Sequence, residues 1–437
     1  MTALVDFERY RRRVQTTRLT RVRGRVTELT GLIVKAAVPG VRVGERVEIL
    51  TSDRTLQAEV VGFRDKEVML MPFGFPDGVG PDSEVIPTGR PFEIQCGEAM
   101  LGHVLNGLGE PIDTPLSSQA GLQGWAVERP PPEPLERERI LEHISFGVRA
   151  IDGLLTIGKG QRIGLFAGSG VGKSTLMGQI ARNTEAEIVV CCLIGERGRE
   201  VRDFIEEALG EEGMKKSVVV CATSDEPSLV RKKSAFVATA IAEWFRDRGA
   251  KVLLMMDSTT RFARAQREIG LAVGEPPARQ GYPPSVFSEL PRLLERTGNS
   301  ARGSITALYT VLVAGGDMEE PISDEVRGIL DGHIILNRNL GARNHWPAID
   351  VLPSLSRVMN GIVSGEHKQA AGTLRKVLAT YEKQRDLILL GAYQYGTDPE
   401  TDYAIDKIEA VEDFLKQGMD ENTDFQTCVH HMLSLFD

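Results

Sequence analysis

Hydrophobic and polar positions alternate over short distances in the first part of the chain. Runs rich in β-branched residues cover residues 31–36, 46–50, 58–63 and 67–71, and glycine, proline and aspartate turns separate them. Short strands at even spacing favour a small β-barrel. We therefore predict a barrel domain over residues 19–92, preceded by an N-terminal arm over residues 1–18.

Longer apolar runs follow from about residue 145. They cover residues 162–167, 188–194, 218–222, 252–256 and 305–313, with helix-like segments such as residues 229–248 between them. Nearly continuous apolar strands that alternate with helices are typical of a parallel sheet covered on both faces. We predict such an α/β domain over residues 93–364, with a proline-rich extended connector at residues 125–139. Ligands bind beyond the carboxyl ends of the strands in such sheets.

The last part of the chain has the periodicity of helices. Leu374, Leu378 and Tyr381 share one helical face, and Asp398 followed by Pro399 combines a good N-cap with a first-turn proline. An apolar stripe over residues 405–415 is typical of core packing. We predict a helical domain over residues 365–437, which completes a multidomain α/β protein.

The net charge of the chain argues against a nucleic-acid partner. The chain carries 52 Lys and Arg against 61 Asp and Glu, a net charge of −9, whereas nucleic-acid binding usually needs a basic surface. Eight arginines nevertheless fall between Arg9 and Arg25. They indicate either a solvated terminal helix or an arm that docks on an acidic partner or on anionic lipid.

The cysteines and the apolar runs indicate a cytoplasmic protein. Five cysteines occur without a CxxC pair, and Cys191, Cys192 and Cys221 lie within apolar runs, as buried thiols do in a reducing compartment. The N-terminus has no apolar signal core, and no run approaches the ~20 residues of a membrane span. If the protein acts at a membrane, we expect it to bind there peripherally, from the aqueous side.

The strongest local signal is a phosphate-binding loop. Residues 167–174 read Ala-Gly-Ser-Gly-Val-Gly-Lys-Ser, which fits the motif except at Ala167. Lys173 is expected to reach the β- and γ-phosphates, and Ser174 to ligate Mg²⁺. The predicted ATP-binding residues here are Gly168, Ser169, Gly170, Val171, Gly172, Lys173, Ser174 and Thr175.

Charged residues that could take part in phosphoryl transfer follow two further strands. Glu196 ends the second run, where a carboxylate could polarise the attacking water, and Asp257 ends the run at 252–256, where it could hold the water shell of Mg²⁺. Phosphoryl transfer also needs positive charge. Arg197 and Arg357 are the candidates.

Several segments together resemble the ATPases related to the rotary ATP synthase α and β subunits. They are residues 102–113, the phosphate loop, Gly-Glu-Arg at 195–197, and residues 281–287, 290–296 and 347–356. Within that family the chain is most similar to the type III protein-export ATPases, on residues 195–201, 257–270, 303–313 and 329–335. The resemblance runs from about residue 18 to the C-terminus and implies a RecA-like ATPase domain.

The resemblance assigns roles to individual residues. It makes Glu196 the catalytic glutamate, Asp257 the end of the Walker B strand, and Arg357 an arginine finger that enters a neighbouring subunit's site. Trp346 stands where the family usually has a tyrosine that stacks on adenine, and a tryptophan can stack on the base as well. Ala167 in place of glycine is common in export ATPases.

The resemblance also implies partners. They are a homo-oligomer, most simply a hexameric ring, with stator and central-stalk proteins, an export gate and chaperone–substrate complexes, at the cytoplasmic face of the inner membrane. The arm at residues 1–18 would bind the stator, and contact with anionic lipid is a secondary expectation. No nucleic-acid partner is expected.

Three alternatives are open at this point. A non-catalytic synthase α chain typically has Gln where this chain has Glu196, and a rotary synthase β subunit lacks the export-type segments and the arginine-rich N-terminus. A ring RNA translocase needs RNA-stacking aromatics, and aromatic residues make up only 6% of the chain. Gly168–Gly172 favours a flagellar export system, which we slightly prefer, whereas Asn299-Ser and Asn344-His favour a virulence injectisome.

Overall fold

The computed structural model describes residues 7, 11, 22–118 and 121–436. It divides the chain into two compact units, Met1–Phe92 and Glu93–Asp437. The arm predicted over residues 1–18 lies outside the described residues, apart from Phe7 and Arg11. The four-part domain division made from the sequence stays a proposal.

The first unit contains a closed six-stranded barrel. Its strands are β1 (Gly24–Thr30), β2 (Ile33–Ala37), β3 (Glu45–Leu50), β4 (Thr55–Arg64), β5 (Glu67–Pro72) and β6 (Glu84–Pro91), paired in the order β1-β2-β5-β4-β3-β6. Alternate side chains such as Val47, Ile49 and Val60 fill the interior with no exposure. Two of the N-terminal arginines that the structure describes form ion pairs on the surface of this barrel, Arg23 with Glu84 and Arg25 with Asp82.

The second unit contains one large sheet and a short two-stranded ribbon. Its strands are β7 (Glu93–Cys96), β8 (Val104–Asn106), β9 (Gln123–Ala126), β10 (Arg162–Ala167), β11 (Ile188–Glu196), β12 (Ser217–Thr223), β13 (Lys251–Asp257), β14 (Gly298–Asn299), β15 (Ser304–Leu312), β16 (Gly332–Leu336) and β17 (Ile349–Ser356). The order is β17-β16-β10-β15-β13-β11-β12-β8, parallel except for β17. The short β14 pairs antiparallel with β15, and β7 and β9 form a separate ribbon.

Thirteen α-helical segments are described in this unit. They are α1 (Arg149–Leu154), α2 (Lys173–Asn183), α3 (Gly198–Asp203), α4 (Gly210–Lys215), α5 (Ser228–Arg246), α6 (Thr259–Val273), α7 (Pro284–Leu294), α8 (Pro321–Ile329), α9 (Arg338–Ala342), α10 (Met359–Ile362), α11 (Gly365–Leu389), α12 (Pro399–Leu415) and α13 (Phe425–Ser434). One π-helical turn, Phe204–Leu209, joins α3 to α4.

The sheet and the C-terminal helices share a hydrophobic core. Leu374, Phe414 and Met432 are fully buried and belong to the same cluster as Leu165 and Leu193 of the sheet. The predicted fold class, a barrel followed by a parallel sheet with helices and a helical C-terminal region, is confirmed. The predicted connector begins inside β9 and otherwise holds only the turn Pro134–Glu136.

Candidate active site

The phosphate loop lies between β10 and α2 at the carboxyl edge of the sheet. Gly172 precedes the first helical residue, Lys173, with a φ of 77°, a left-handed conformation that glycine adopts without a steric penalty. The Arg338 guanidinium donates to the Ser169 carbonyl over 3.0 Å and holds the loop from its far side. Ser174 and Thr175 are exposed in the first turn of α2, and Val171 is buried. The free backbone N–H groups of such a helix start favour an anion.

Trp346 lies against the end of this loop. A Cβ added at Gly172 would stand 2.8 Å from the Trp346 ring, and one added at Gly341 would stand 2.9 Å from it. The ring is therefore packed between two glycines where no larger residue fits. It keeps 39% of its surface exposed, which leaves room for contact with a ligand.

Strand register brings the predicted catalytic side chains together. Asp257 ends β13 beside Leu193 of the neighbouring β11, and Glu196 follows three positions later on β11. The Lys173 ammonium donates to Asp257 Oδ1 and lies 3.9 Å from Glu196 Oε1. Thr310 on β15 also donates to Asp257 Oδ1, at 2.7 Å. Lys173, Glu196 and Asp257 thus form one cluster at the carboxyl edge.

Arg261 joins this cluster. Its Nη2 donates to Glu196 Oε2 over 3.0 Å, and its Nη1 donates to the Gly195 carbonyl. Arg261 was part of a segment used for the family resemblance, but sequence reasoning gave it no role. Its position four residues after Asp257 was the available signal, because residues that directly follow parallel strands meet at the same edge.

Burial changes the acidity of Glu196. Removal from water, followed by repulsion from Asp257, raises the pKa of Glu196 to about 7, although Lys173 and Arg261 act in the opposite direction. A general base works best when its pKa lies near the operating pH. Glu196 therefore has the acidity expected of a residue that accepts a proton from water.

Both arginines proposed from the sequence lie outside this cluster. The Arg197 side chain is 79% exposed, and its guanidinium lies 3.5 Å from Glu200. Arg357 is exposed directly after β17. The catalytic roles of Arg197 and Arg357 stay predictions, and the arginine that contacts Glu196 in this chain is Arg261.

Arg357 lies at the opposite edge of the sheet. β17 runs antiparallel to β16, so Ser356 pairs with Gly332 at the start of that strand. The Arg357 amide donates to the Asp331 carbonyl, and the Asp331 carboxylate accepts from the Arg162 amide, which begins β10. At ~3.3 Å per residue, β10 separates this level from the phosphate loop by about 16 Å. An arginine side chain is too short to cross that length, so Arg357 cannot reach the loop of its own chain.

The residues at the carboxyl edge suit a Mg²⁺ ion bound with a nucleotide. Ser174 presents a hydroxyl and Asp257 a carboxylate, both of them the oxygen ligands that Mg²⁺ prefers. Among the described residues, no group of three or more His, Cys, Asp or Glu side chains could hold a metal by itself. Mg²⁺ usually takes its remaining ligands from water and substrate phosphates, so one or two protein ligands are sufficient.

Sequence models of known families cover the chain in three consecutive blocks. The ATP synthase alpha/beta family matches with its beta-barrel domain over residues 20–89 and its nucleotide-binding domain over residues 147–356. The T3SS EscN ATPase C-terminal domain matches residues 363–434. A type 3 secretion system ATPase of Xanthomonas euvesicatoria is 53% identical over 95% of this chain and 94% of its own length. The chain belongs to the ATP synthase alpha/beta family.

Its relatives within the family include both type 3 secretion system ATPases and flagellum-specific ATP synthases. A flagellum-specific ATP synthase of Bacillus subtilis is 51% identical over 94% of each chain. The assembled ATPase EscN of the enteropathogenic E. coli type III secretion system has a TM-score of 0.90 at 46% identity, covering 94% of this chain and 99% of EscN. EscN in complex with its central stalk EscO gives a TM-score of 0.88. The expected enzyme class, an ATPase of this family, is confirmed.

None of the helices among the described residues is long and apolar enough to cross a bilayer. The preference for a flagellar system stays a prediction, because relatives from both systems match at 53% and 51% identity.

Proposed function

We propose that this chain hydrolyses Mg-ATP and that hydrolysis energises type III protein export. The observation that carries the chemistry is the cluster of Lys173, Glu196 and Asp257 directly beyond a phosphate loop, with Lys173 in contact with Asp257 and 3.9 Å from Glu196. Membership of the ATPase family supports the reaction. The relatives from secretion and flagellar systems support the coupling to export.

Each residue of the cluster has a distinct task in this proposal. The loop amides and Lys173 bind the β- and γ-phosphates, and Lys173 leaves Asp257 when phosphate arrives, because the phosphate carries more negative charge. Glu196 then orients the attacking water and accepts its proton. Trp346 stacks on the adenine ring. Ser174 and Asp257 would hold Mg²⁺, and the ion would neutralise charge on the phosphates.

The proposal includes a homohexameric ring. Arg357 lies at the edge of the sheet opposite to its own phosphate loop, so it can act on a γ-phosphate only in another subunit. A positive group supplied in trans stabilises charge that develops in the transition state. The assembled form of EscN, a relative at 46% identity, supports an assembly of this kind.

The partners follow from the same proposal. The ring would bind a central stalk, as EscN binds EscO, and also a stator, the export gate and chaperone–substrate complexes. We place it at the cytoplasmic face of the inner membrane, bound peripherally. We still slightly prefer a flagellar apparatus, and the reason is the sequence of residues 168–172 alone.

The first test is ATP turnover by the purified chain with and without Mg²⁺. Glu196→Gln should slow turnover by ~100-fold or more, the scale of a lost general base, while nucleotide binding stays nearly intact. Glu409→Gln is the matched control, because Glu409 is exposed on α12. Normal turnover in the Glu196 variant would contradict the proposal, and an absolute requirement for RNA would favour a translocase instead.

A further inference from the structure

The segment of residues 416–421, between α12 and α13, contacts three separate parts of the nucleotide-binding unit. We name it the 416–421 clip. One of its residues, Gln417, is only 5% exposed, although it is polar and lies in the connection between α12 and α13. A buried glutamine is retained in a structure when its amide is fully hydrogen-bonded, and the partners of Gln417 show what it holds.

The first contact is with the start of α1 and the residues just before it. Gln417 Oε1 accepts from the Arg149 amide at 2.7 Å, and its Nε2 donates to the Gly147 carbonyl at 2.8 Å. Arg149 returns the contact, because its Nε donates to the Phe414 carbonyl at 2.8 Å and another guanidinium nitrogen donates to the Lys416 carbonyl. These residues are separated by more than 260 positions in sequence, so the clip is a tertiary feature.

The second contact is with α2, the helix that begins at Lys173. Gln179 Nε2 donates to the Gly418 carbonyl at 3.0 Å and to the Glu421 carbonyl at 3.2 Å. Arg182 Nη2 donates to the Met419 carbonyl at 2.8 Å. The clip is thus fixed to the same helix whose first residue binds phosphate, two turns further along.

The third contact is with Trp346. The Gln417 amide donates to the Trp346 carbonyl at 2.8 Å, and the Trp346 ring lies against Gly172 of the phosphate loop. The backbone of Trp346 is therefore held by a residue whose own side chain is fixed to Gly147 and Arg149. Movement of Gln417 would displace the ring that is expected to meet the base.

We propose that Gln417 is a positioning residue for the nucleotide base, acting through its backbone hydrogen bond to Trp346. The 416–421 clip sets the distance between Trp346 and the phosphate loop because it is fixed to α2 on one side and to Trp346 on the other. This inference rests on the proposed ATP site. It assigns Gln417, which lies outside the phosphate loop, an indirect role in base binding through Trp346.

The experiment compares three glutamine-to-methionine variants of the full chain. Gln417→Met keeps the side-chain length but removes its hydrogen bonds, Gln179→Met loosens the clip from α2, and Gln426→Met is the control at an exposed position of α13. Steady-state kinetics give KM for ATP and kcat. Fluorescence with Mg-ADP follows Trp346, one of three tryptophans, and Trp346→Phe identifies its share of the signal.

Gln417→Met should raise KM for ATP by about tenfold with kcat little changed, the signature of lost ground-state binding. Its Mg-ADP-dependent Trp346 signal should weaken in parallel, and Gln426→Met should behave as the unmodified chain. A folded Gln417→Met protein with unchanged KM and Trp346 signal overturns the inference, as does an equal fall in kcat without a change in KM. If Gln417→Met does not fold, Gln179→Met decides by the same criteria.

Failure of the proposed function looks different. An unmodified chain that neither hydrolyses ATP nor changes its Trp346 fluorescence with Mg-ADP would remove the ATP site itself. An active unmodified chain beside an indifferent Gln417 variant would remove only the positioning role.

Discussion

The two edges of the central sheet use charge differently. At the carboxyl edge, Glu196 and Asp257 are buried next to Lys173, and burial raises the pKa of Glu196 to about 7. At the opposite edge, Arg162 pairs with Asp331 in a partly exposed ion pair, and Arg357 points into solvent. The first arrangement is costly for the fold and is typical of a reaction site. The arrangement at the opposite edge supports the fold and leaves the Arg357 side chain exposed at the surface.

Under the proposed function, one chain would therefore contain most of one site and supply a part of another. The carboxyl edge contains the phosphate loop and Glu196, the proposed general base. Arg357 lies about 16 Å from that loop along the strand direction, at ~3.3 Å per residue. Four predictions test this division, in order of decreasing effect.

The largest effect is expected for Arg357→Ala. Loss of an arginine finger costs ~10³–10⁵ in turnover, because the charge that it neutralises builds only in the transition state. Nucleotide binding should stay close to that of the unmodified chain, since Arg357 lies far from its own loop. Turnover and Mg-ADP binding of the purified variant, measured side by side, check both parts.

A mixing experiment decides whether Arg357 acts in trans. Arg357→Ala subunits and Lys173→Ala subunits should each be nearly inactive, and their mixture should recover activity because some interfaces pair an intact loop with an intact finger. Specific activity of the unmodified chain should also rise with protein concentration. Mixed rings as inactive as their components, or full activity from a monomer, would refute the division between the two edges.

The second prediction concerns Arg261 at the carboxyl edge. Arg261→Met should slow turnover by about 10–100-fold, at or below the lower end of the ~10²–10⁴ range of acid–base contributions, because Glu196 stays in place but loses the group that holds its Oε2. Arg264→Met, at an exposed position one turn along α6, is the matched control and should remain active. Equal activity of the two variants would show that the Glu196–Arg261 contact has no part in catalysis.

The third prediction concerns the pH dependence of kcat/KM. Glu196 acts as a base only when ionised, and its pKa is raised to about 7, so kcat/KM should fall about tenfold per unit as the pH drops below 7. Arg261 lowers the pKa of Glu196, so Arg261→Met should move the inflection to higher pH. A pH–rate profile that is flat between about pH 5.5 and 8 would exclude Glu196 as the base whose titration controls the rate.

The smallest effect on turnover is expected at the opposite edge. Asp331→Ala removes a carboxylate that accepts from the Arg162 amide and guanidinium, and it should lower the free energy of unfolding by about 1–2 kcal/mol after allowance for its partial exposure. Turnover per folded molecule should change little. Chemical denaturation and ATPase assays separate the two effects, and a stable but inactive variant would show that this edge takes part in the reaction directly.

The predictability of the site differs from residue to residue. Lys173, Glu196 and Asp257 were found because each directly follows an apolar run, and the carboxyl ends of parallel strands meet at one edge. Arg261 and Thr310 were missed because their roles depend on the direction of a side chain from a helix or a strand interior. The strands β8, β16 and β17 were missed because they are short or carry polar residues, which weakens the periodic signal.

The fold class, the phosphate loop and the order of the acidic residues along the chain follow from the sequence alone, because periodicity and short motifs are local properties. The location of Arg357 follows only from the packed fold, since its edge of the sheet depends on the antiparallel direction of β17. The same holds for the 416–421 clip, whose hydrogen bonds join Gln417 to Arg149 and Trp346 across long stretches of chain. No local pattern encodes such contacts, because they form only when separate elements pack into one core.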